Sequence, residues 1–204
     1  MAIQLIGSSG VTANVDPAGN VMFEHGEAGY TAGGEYVAAG FCTSIVAAAL
    51  AANTSLMTMR FAVASSRKAY IKRIRISTSP ATLGAAGGVA GVLGLQRFTT
   101  ATPTGGTART AAKKNSTHPS TSDMTDIRDS NAALTVTSVV FGDVVGTSIM
   151  PLAVANSIPF EWVWEPDDPP LVLNAGDGIA LRTQVAMAAT QTWVYTWTCH
   201  WSEK

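Results

Sequence analysis

Charge is what this chain has least of. Asp, Glu, Lys and Arg make up 13% of its 204 residues, against a usual ~25%. That excludes long surface helices, which need a charged face. The 47% hydrophobic content excludes a chain disordered throughout. There are two cysteines, Cys42 and Cys199. So few, so far apart, make neither a disulfide framework nor a zinc pattern; they read as small buried hydrophobes, with pairing as the alternative. The start, MAIQLIGSSG, has no basic stretch and no apolar run, so no signal peptide is expected. The longest uncharged run, Tyr36 to Met59, is mostly alanine interrupted by Thr43, Ser44, Asn53, Thr54 and Ser55. It is too weakly apolar for a membrane span. A net charge of −1 gives no overall pull toward nucleic acid or an anionic membrane.

What is present is small and β-compatible: 32 alanines, 24 threonines and 19 glycines. The few charges are segregated along the chain. Residues 36–122 contain no Asp or Glu but ten cations: Arg60, Arg67, Lys68, Lys72, Arg73, Arg75, Arg97, Arg109, Lys113 and Lys114. All 14 acids and the other three bases lie outside, so +10 and −11 sum to −1. Two readings follow. Either strands from the two parts interleave and the charges mix, or one face of the subunit is basic and another acidic, which favours head-to-tail docking. Nucleic acid is a weaker third reading, because the basic stretch has few aromatics for stacking.

Residues 1–40 read as an extended N-terminal arm, punctuated by the turn signals Gly7-Ser8-Ser9-Gly10, Asp16-Pro17-Ala18-Gly19-Asn20 and Gly33-Gly34. Residues 41–204 read as one β-sandwich domain. Residues 41–59 are ambiguous between strand and helix: Ile45 to Ala52 has the alanine content of two helical turns, and Leu56 to Val63 then reads as a strand. In AYIKRIRIS (69–77), Ile74 and Ile76 share one face and Arg73 and Arg75 the other, while Lys72 breaks the alternation and predicts an edge or a bulge. Gly84 to Gly94 reads as a turn into a strand over Val89 to Thr99, without the residues of a phosphate loop. Residues 100–122 read as a long polar loop, and long loops in compact domains are commonly functional or disordered. Further strands are expected over Leu134 to Phe141 and Pro159 to Trp164. PPLVLNAGDGIALRT (169–183) reads as a hairpin-type connection, with Asn174-Ala175-Gly176-Asp177 at the turn. Short strands at this spacing, with little helix, predict an all-β, jelly-roll-like sandwich.

All five tryptophans fall in the last 43 residues: Trp162, Trp164, Trp193, Trp197 and Trp201. In the final strand Trp193, Tyr195, Trp197, Cys199 and Trp201 share one face, with Val194, Thr196, Thr198 and His200 on the other. Trp162 and Trp164 share a face of their own. Such period-2 aromatics opposite threonine are expected in a sandwich core or a subunit interface. A stacking platform for sugar rings is the functional alternative.

Catalytic sets are thin. The three histidines are His25, His118 and His200, and no HExxH, GxSxG or Cys-x-x-Cys occurs. Cys199 and His200 are strand neighbours pointing to opposite faces, so they make no nucleophile–base pair. Asp167-Asp168 lies between prolines, as in an exposed turn. Asp123, Asp126 and Asp129 recur every third residue without the glycine and terminal glutamate of a calcium loop, which predicts a helical turn or a solvated loop. No enzyme, cofactor or metal is expected.

Four segments carry a resemblance: SRKAYIKRIRIS (66–77), GLQRFTTATPTGG (94–106), MTDIRDSNAALT (124–135) and PLVLNAGDGIALRTQVAM (170–187). With the Trp-rich final strand, they resemble tailed-bacteriophage virion structural proteins, from about residue 40 to the end. The LxLxxGDxIxL cadence is also similar to the late hairpin of trimeric jelly-roll domains. The resemblance implies a virion location and a non-enzymatic, oligomeric protein, expected as a homotrimer. It would decorate or cement the shell by binding the major capsid protein or another virion protein, with no nucleic acid or membrane partner. The alternative within the virion is a tail, neck, fibre or baseplate component. The alternative of another class is a carbohydrate-binding module for host glycans. Arg67, Lys68, Lys72, Arg73 and Arg75 are the candidate partner contacts, and Trp162, Trp164, Trp193, Tyr195, Trp197 and Trp201 the candidate core or subunit interface.

Overall fold

The computed structural model describes residues 5–6, 12–15, 21–22, 34–46, 50–82, 91–99, 102–116, 119–136, 140–150, 159–163, 170–187 and 192–204. Among them every regular element is a strand. Three short ones, β1 (Leu5–Ile6), β2 (Thr12–Val15) and β3 (Val21–Met22), form a small antiparallel sheet of their own. The sandwich is built from β4 (Glu35–Val46), β5 (Ser55–Phe61), β6 (Ala69–Thr82), β7 (Gly91–Thr99), β8 (Thr107–Ala108), β9 (Ala112–Lys113), β10 (Met124–Leu134), β11 (Val140–Met150), β12 (Phe160–Val163), β13 (Leu171–Leu173), β14 (Asp177–Thr183) and β15 (Thr192–Glu203). One sheet runs β11-β7-β14-β5-β10-β8 and the other β12-β6-β15-β4-β9. β13 follows β12 along the same edge of β6. All these pairings are antiparallel, and the chain is a β-sandwich.

β15 shows why these residues make this fold. Its alternation puts Trp193, Tyr195, Trp197, Cys199 and Trp201 between the sheets, each 1% exposed or less. Met57, Met59, Phe61, Leu93, Leu95, Ile179 and Leu181 face them from the other sheet. Each buried indole contributes on the order of 2–3 kcal/mol. The stripe is therefore the core of a single chain, not a platform for sugars. Trp162 packs half-buried against this core, and Trp164 lies outside the described residues.

β6 sits between β15 and the β12/β13 edge, so it is not an edge strand. Its broken alternation is a bulge: His200 faces Arg73 and Trp201 faces Ile71, leaving Lys72 over.

Several expectations are corrected. β4 begins at Glu35 and Tyr36 is 1% exposed, so the sandwich starts six residues before the 40/41 boundary read from the sequence. Ile45 and Val46 continue β4 instead of starting a helix. Ile45 pairs with Trp193 and is fully buried, and that packing overrides alanine's helix propensity. Leu50 to Thr54 then turn the chain, with Asn53 at φ 64°. The polar stretch 100–122 carries β8 and β9. The strand expected over 134–141 is, among the described residues, the end of one strand and the start of another. Leu134 ends β10 opposite Ser55, whereas Val140 opens β11 opposite Thr99, at the far edge of the same sheet.

The 171–183 segment is not a hairpin. β13 pairs with β6 of one sheet and β14 with β5 and β7 of the other. Asn174 to Gly176 thus carry the chain across the sandwich. The Asn174 amide donates to Asp177 Oδ2 at 3.0 Å, the Asp177 amide to the Asn174 carbonyl at 2.9 Å, and Gly176 takes φ 84°, a conformation that favours glycine.

Gly40 of β4 lies opposite Trp197. A Cβ there would stand 1.9 Å from Asp129 Oδ2 and 2.5 Å from Trp197 Nε1. Gly40→Ala is therefore expected to destabilise the domain by about 1–3 kcal/mol, read as a lower urea midpoint at unchanged m-value. A midpoint equal to that of the parent would show that this close approach imposes no constraint.

Candidate functional site

Charged side chains pair with one another between segments that are distant in the sequence. Among the described residues the ion pairs include Arg60–Asp126, Arg67–Asp123, Arg67–Glu203, Lys72–Glu35, Arg73–Glu161, Arg109–Asp129 and Lys114–Glu35. Every one joins a cation from residues 36–122 to an acid outside that stretch. The antiparallel order explains this: β10, β12 and the end of β15 bring acids against strands and loops of the basic stretch. The interleaved reading of the charge pattern describes the molecule.

The three aspartates spaced by three are neither a helical turn nor a solvated loop. Asp126 and Asp129 are in β10, with Asp123 just before it, and each goes to a different arginine. A bulge between Thr125 and Arg128, with Asp126 at φ 51°, shifts the strand's parity. Met124 and Ile127, three apart, both become buried.

Two of the acids sit inside the fold. Asp129 is 2% exposed and accepts the Trp197 indole N–H at 3.0 Å and Arg109 Nε at 2.9 Å. Glu203 is fully buried and accepts from Trp201 Nε1 at 3.0 Å, Ser122 Oγ at 2.5 Å, the Asp123 amide at 3.0 Å and Arg67 at 3.1 Å. The Tyr195 hydroxyl donates to the Leu56 carbonyl at 2.8 Å. Burial pushes the Tyr195 hydroxyl and the Cys199 thiol far up, so neither ionises near neutrality. Neither cysteine is in a disulfide, and both are buried. Glu203 was legible in principle, since it continues the odd-numbered parity of the β15 stripe. Asp129 carries no such local signal.

Hollows on the surface of the described residues include two of note. One of about 360 Å³ is bounded by Phe41, Cys42, Thr107, Arg109, Asp129 and Asn131. The Asp129–Arg109 pair is part of its lining, and the Arg109 guanidinium lies 5.3 Å from the centre of the 57%-exposed Phe41 ring. The other, about 170 Å³, lies on the outer face of the β6/β15 sheet among Arg73, Arg75, Thr198 and His200. Register accounts for it: Arg73 is opposite His200 and Arg75 opposite Thr198.

The five predicted contact cations do not form one patch. Arg67 is held by Asp123 and Glu203, with its side chain 16% exposed. Lys68 is exposed, and its backbone pairs with that of Lys204. Lys72 pairs with Glu35, and Arg73 with Glu161. Arg75 is exposed and makes no ion pair among the described residues. The structure brings Arg73 and Arg75 together with His200, which sequence reading had not connected to them. His25, His118 and Asp167-Asp168 lie outside the described residues. Among those described, no group of three His, Cys, Asp or Glu is placed to hold a metal, and no helix is long and apolar enough to cross a membrane.

Comparison of the chain with protein families, with curated proteins and with solved structures gives no match.

The pairs set a pH dependence. Hydrogen bonding from Arg67 holds Asp123 below its usual 3.8. At Glu35 burial acts upward, but Lys72 and Lys114 outweigh it and hold the group below its usual 4.5. A carboxyl depressed in the folded state stabilises above its unfolded pKa and loses that contribution as pH falls through the folded one. His200 is depressed from 6.5 by burial, Lys114 and Arg73. The unfolded chain therefore takes up that proton first, and stability starts to decline as pH drops below 6.5. Unfolding free energy should thus fall in two stages on acidification, one below 6.5 that His200→Gln removes and one below about 4. A profile flat down to pH 4 would contradict the first stage. Arg67→Ala strands buried Glu203 and should cost about 3–5 kcal/mol, whereas the exposed Lys114→Ala should cost under ~1 kcal/mol. Equal losses in urea unfolding would contradict the difference in burial.

Proposed function

We propose that this chain is a non-enzymatic structural protein of a tailed-bacteriophage virion. It is a jelly-roll-like sandwich that assembles as a homotrimer and binds the capsid lattice as a decoration or cement protein. The observation that carries the reading is the strand order. β4, β15, β6 and β12/β13 neighbour one another in one sheet, and β5, β14, β7 and β11 in the other. We read that order as eight strands in two Greek keys, an architecture that serves viral capsid domains. β8, β9 and β10 are then an insertion between the fourth and fifth of these strands. Fold analogy alone is weak evidence of function; it gains weight from the four resembling segments, which lie across β6, β7, β10 and β13–β14.

Because the tryptophan stripe is consumed by the core, assembly must use other surfaces. The outer face of the β6/β15 sheet offers Arg75, Phe41 at 57% exposure and Val163 at 48%, a mixture of charge and exposed apolar area suited to a subunit contact. Residues 1–33, preceding β4, have no long apolar stretch of their own, and a segment of that kind is suited to ordering against a neighbouring subunit.

Mass spectrometry of purified particles with copy counting tests the reading. The expected result is a copy number set by the capsid lattice. A few copies per particle would move the protein to the tail, and absence from particles would overturn the virion role. Arg75→Glu is expected to abolish attachment while leaving the melting temperature within a degree or so of the parent, because an exposed substitution away from structural contacts changes stability by at most ~0.5 kcal/mol. Normal incorporation of that variant would contradict the assigned surface.

A further inference from the structure

We propose that the hollow between β6 and β15, bounded by Arg73, Arg75, Thr198 and His200, is a seat for one carboxylate side chain of an acidic segment on a partner protein. The proposal deepens the docking reading above and rests on it for the identity of the partner, but not for the existence of the site.

The argument starts from register. Glu161 of β12 lies directly opposite Arg75, yet its carboxylate pairs diagonally with Arg73. Lys72 and Lys114 are both taken by Glu35. The charged groups gathered here are thus Lys72, Arg73 and Arg75 from β6, Lys114 following β9, Glu35 from β4 and Glu161 from β12. Four cations meet two acids, and the cation left over among the described residues is Arg75, on the rim of the hollow. A guanidinium offers a planar pair of donors matched to a carboxylate. Thr198 adds a hydroxyl beside it, and His200 an imidazole opposite Arg73.

The shape narrows the occupant. The hollow of about 170 Å³ is open to solvent on a sheet face, so it admits the head of a side chain presented from outside. Its rows continue into apolar positions on the same face, Val163 and Val37 beside Arg73 and His200, and Ala39 beside Thr198. Phe41 follows one step along, opposite Thr196. A free inorganic anion has no use for those shoulders, whereas the aliphatic stem and neighbours of an acidic residue do. Burial first, and then the field of Lys114 and Arg73, depresses His200. A carboxylate seated beside it reverses part of that field and raises the imidazole's affinity for a proton, so occupancy and protonation favour each other.

The test uses the full chain and follows the histidine imidazole resonances by NMR, with His200 assigned from its absence in His200→Gln. The probes are a blocked tri-glutamate peptide, acetate and inorganic phosphate. The peptide is expected to shift the His200 resonance, to raise its titration midpoint and to bind more tightly at pH 5.5 than at pH 7.5. Arg75→Gln should weaken the peptide about tenfold with an unchanged melting temperature. Glu161→Gln, which releases Arg73, should strengthen it. Acetate should act in the same direction but more weakly. An unmoved His200 resonance, equal affinity in Arg75→Gln, or binding of phosphate without the peptide would each overturn the proposal. A chain counted at lattice stoichiometry in particles but indifferent to the peptide loses this site and keeps its virion role. A chain that binds the peptide but is missing from particles keeps the site and loses that role.

Discussion

Two indole N–H groups reach buried carboxylates, and the rest of the sandwich is arranged around that fact. A tryptophan carried into a core brings a donor that must be satisfied. Trp197 finds Asp129 and Trp201 finds Glu203. A carboxylate at such depth is costly unless a cation and further donors accompany it. Arg109 supplies this for Asp129; Arg67, Ser122 and the Asp123 amide supply it for Glu203. The segregation of charge along the chain is thereby resolved. The stretch without acids contributes the arginines, the remainder contributes the acids, and antiparallel pairing brings them together.

How much of this was legible depended on the range of the signal. Strands with a clean period of two were visible: β6 from Ile74 and Ile76 against Arg73 and Arg75, and β15 from its aromatic stripe. The bulge at Lys72 was visible as a broken alternation. β10 was not, because its own bulge at Asp126 turns the period from two into three and imitates a helical turn. The turn at Asn174 to Gly176 was recognised as a turn but not as a passage between sheets. Local turn chemistry fixes how the chain reverses, not which strands its arms then join. Arg67 looked like a surface cation because nothing near it in sequence reveals that Glu203 is buried beside it.

The same interior bonding defines what is left for contact with other molecules. Once Arg60, Arg67, Lys72, Arg73, Arg109 and Lys114 have acidic partners, the outer face of the β6/β15 sheet keeps a small basic spot at Arg75 beside His200. A narrow charged spot flanked by exposed apolar residues suits orientation of a docking partner better than long-range attraction, since steering needs a field summed over many charges. It also fits a protein whose net charge is only −1.

A double-mutant cycle on Trp197→Phe and Asp129→Asn, followed by urea unfolding, addresses the indole–carboxylate anchor directly. The account predicts a coupling energy of about 1.5–3 kcal/mol, the range of a hydrogen bond to a charged group. Additive effects, with coupling within about 0.3 kcal/mol of zero, would mean that the bond carries no stability of its own and that the buried aromatic surface holds the sandwich without it.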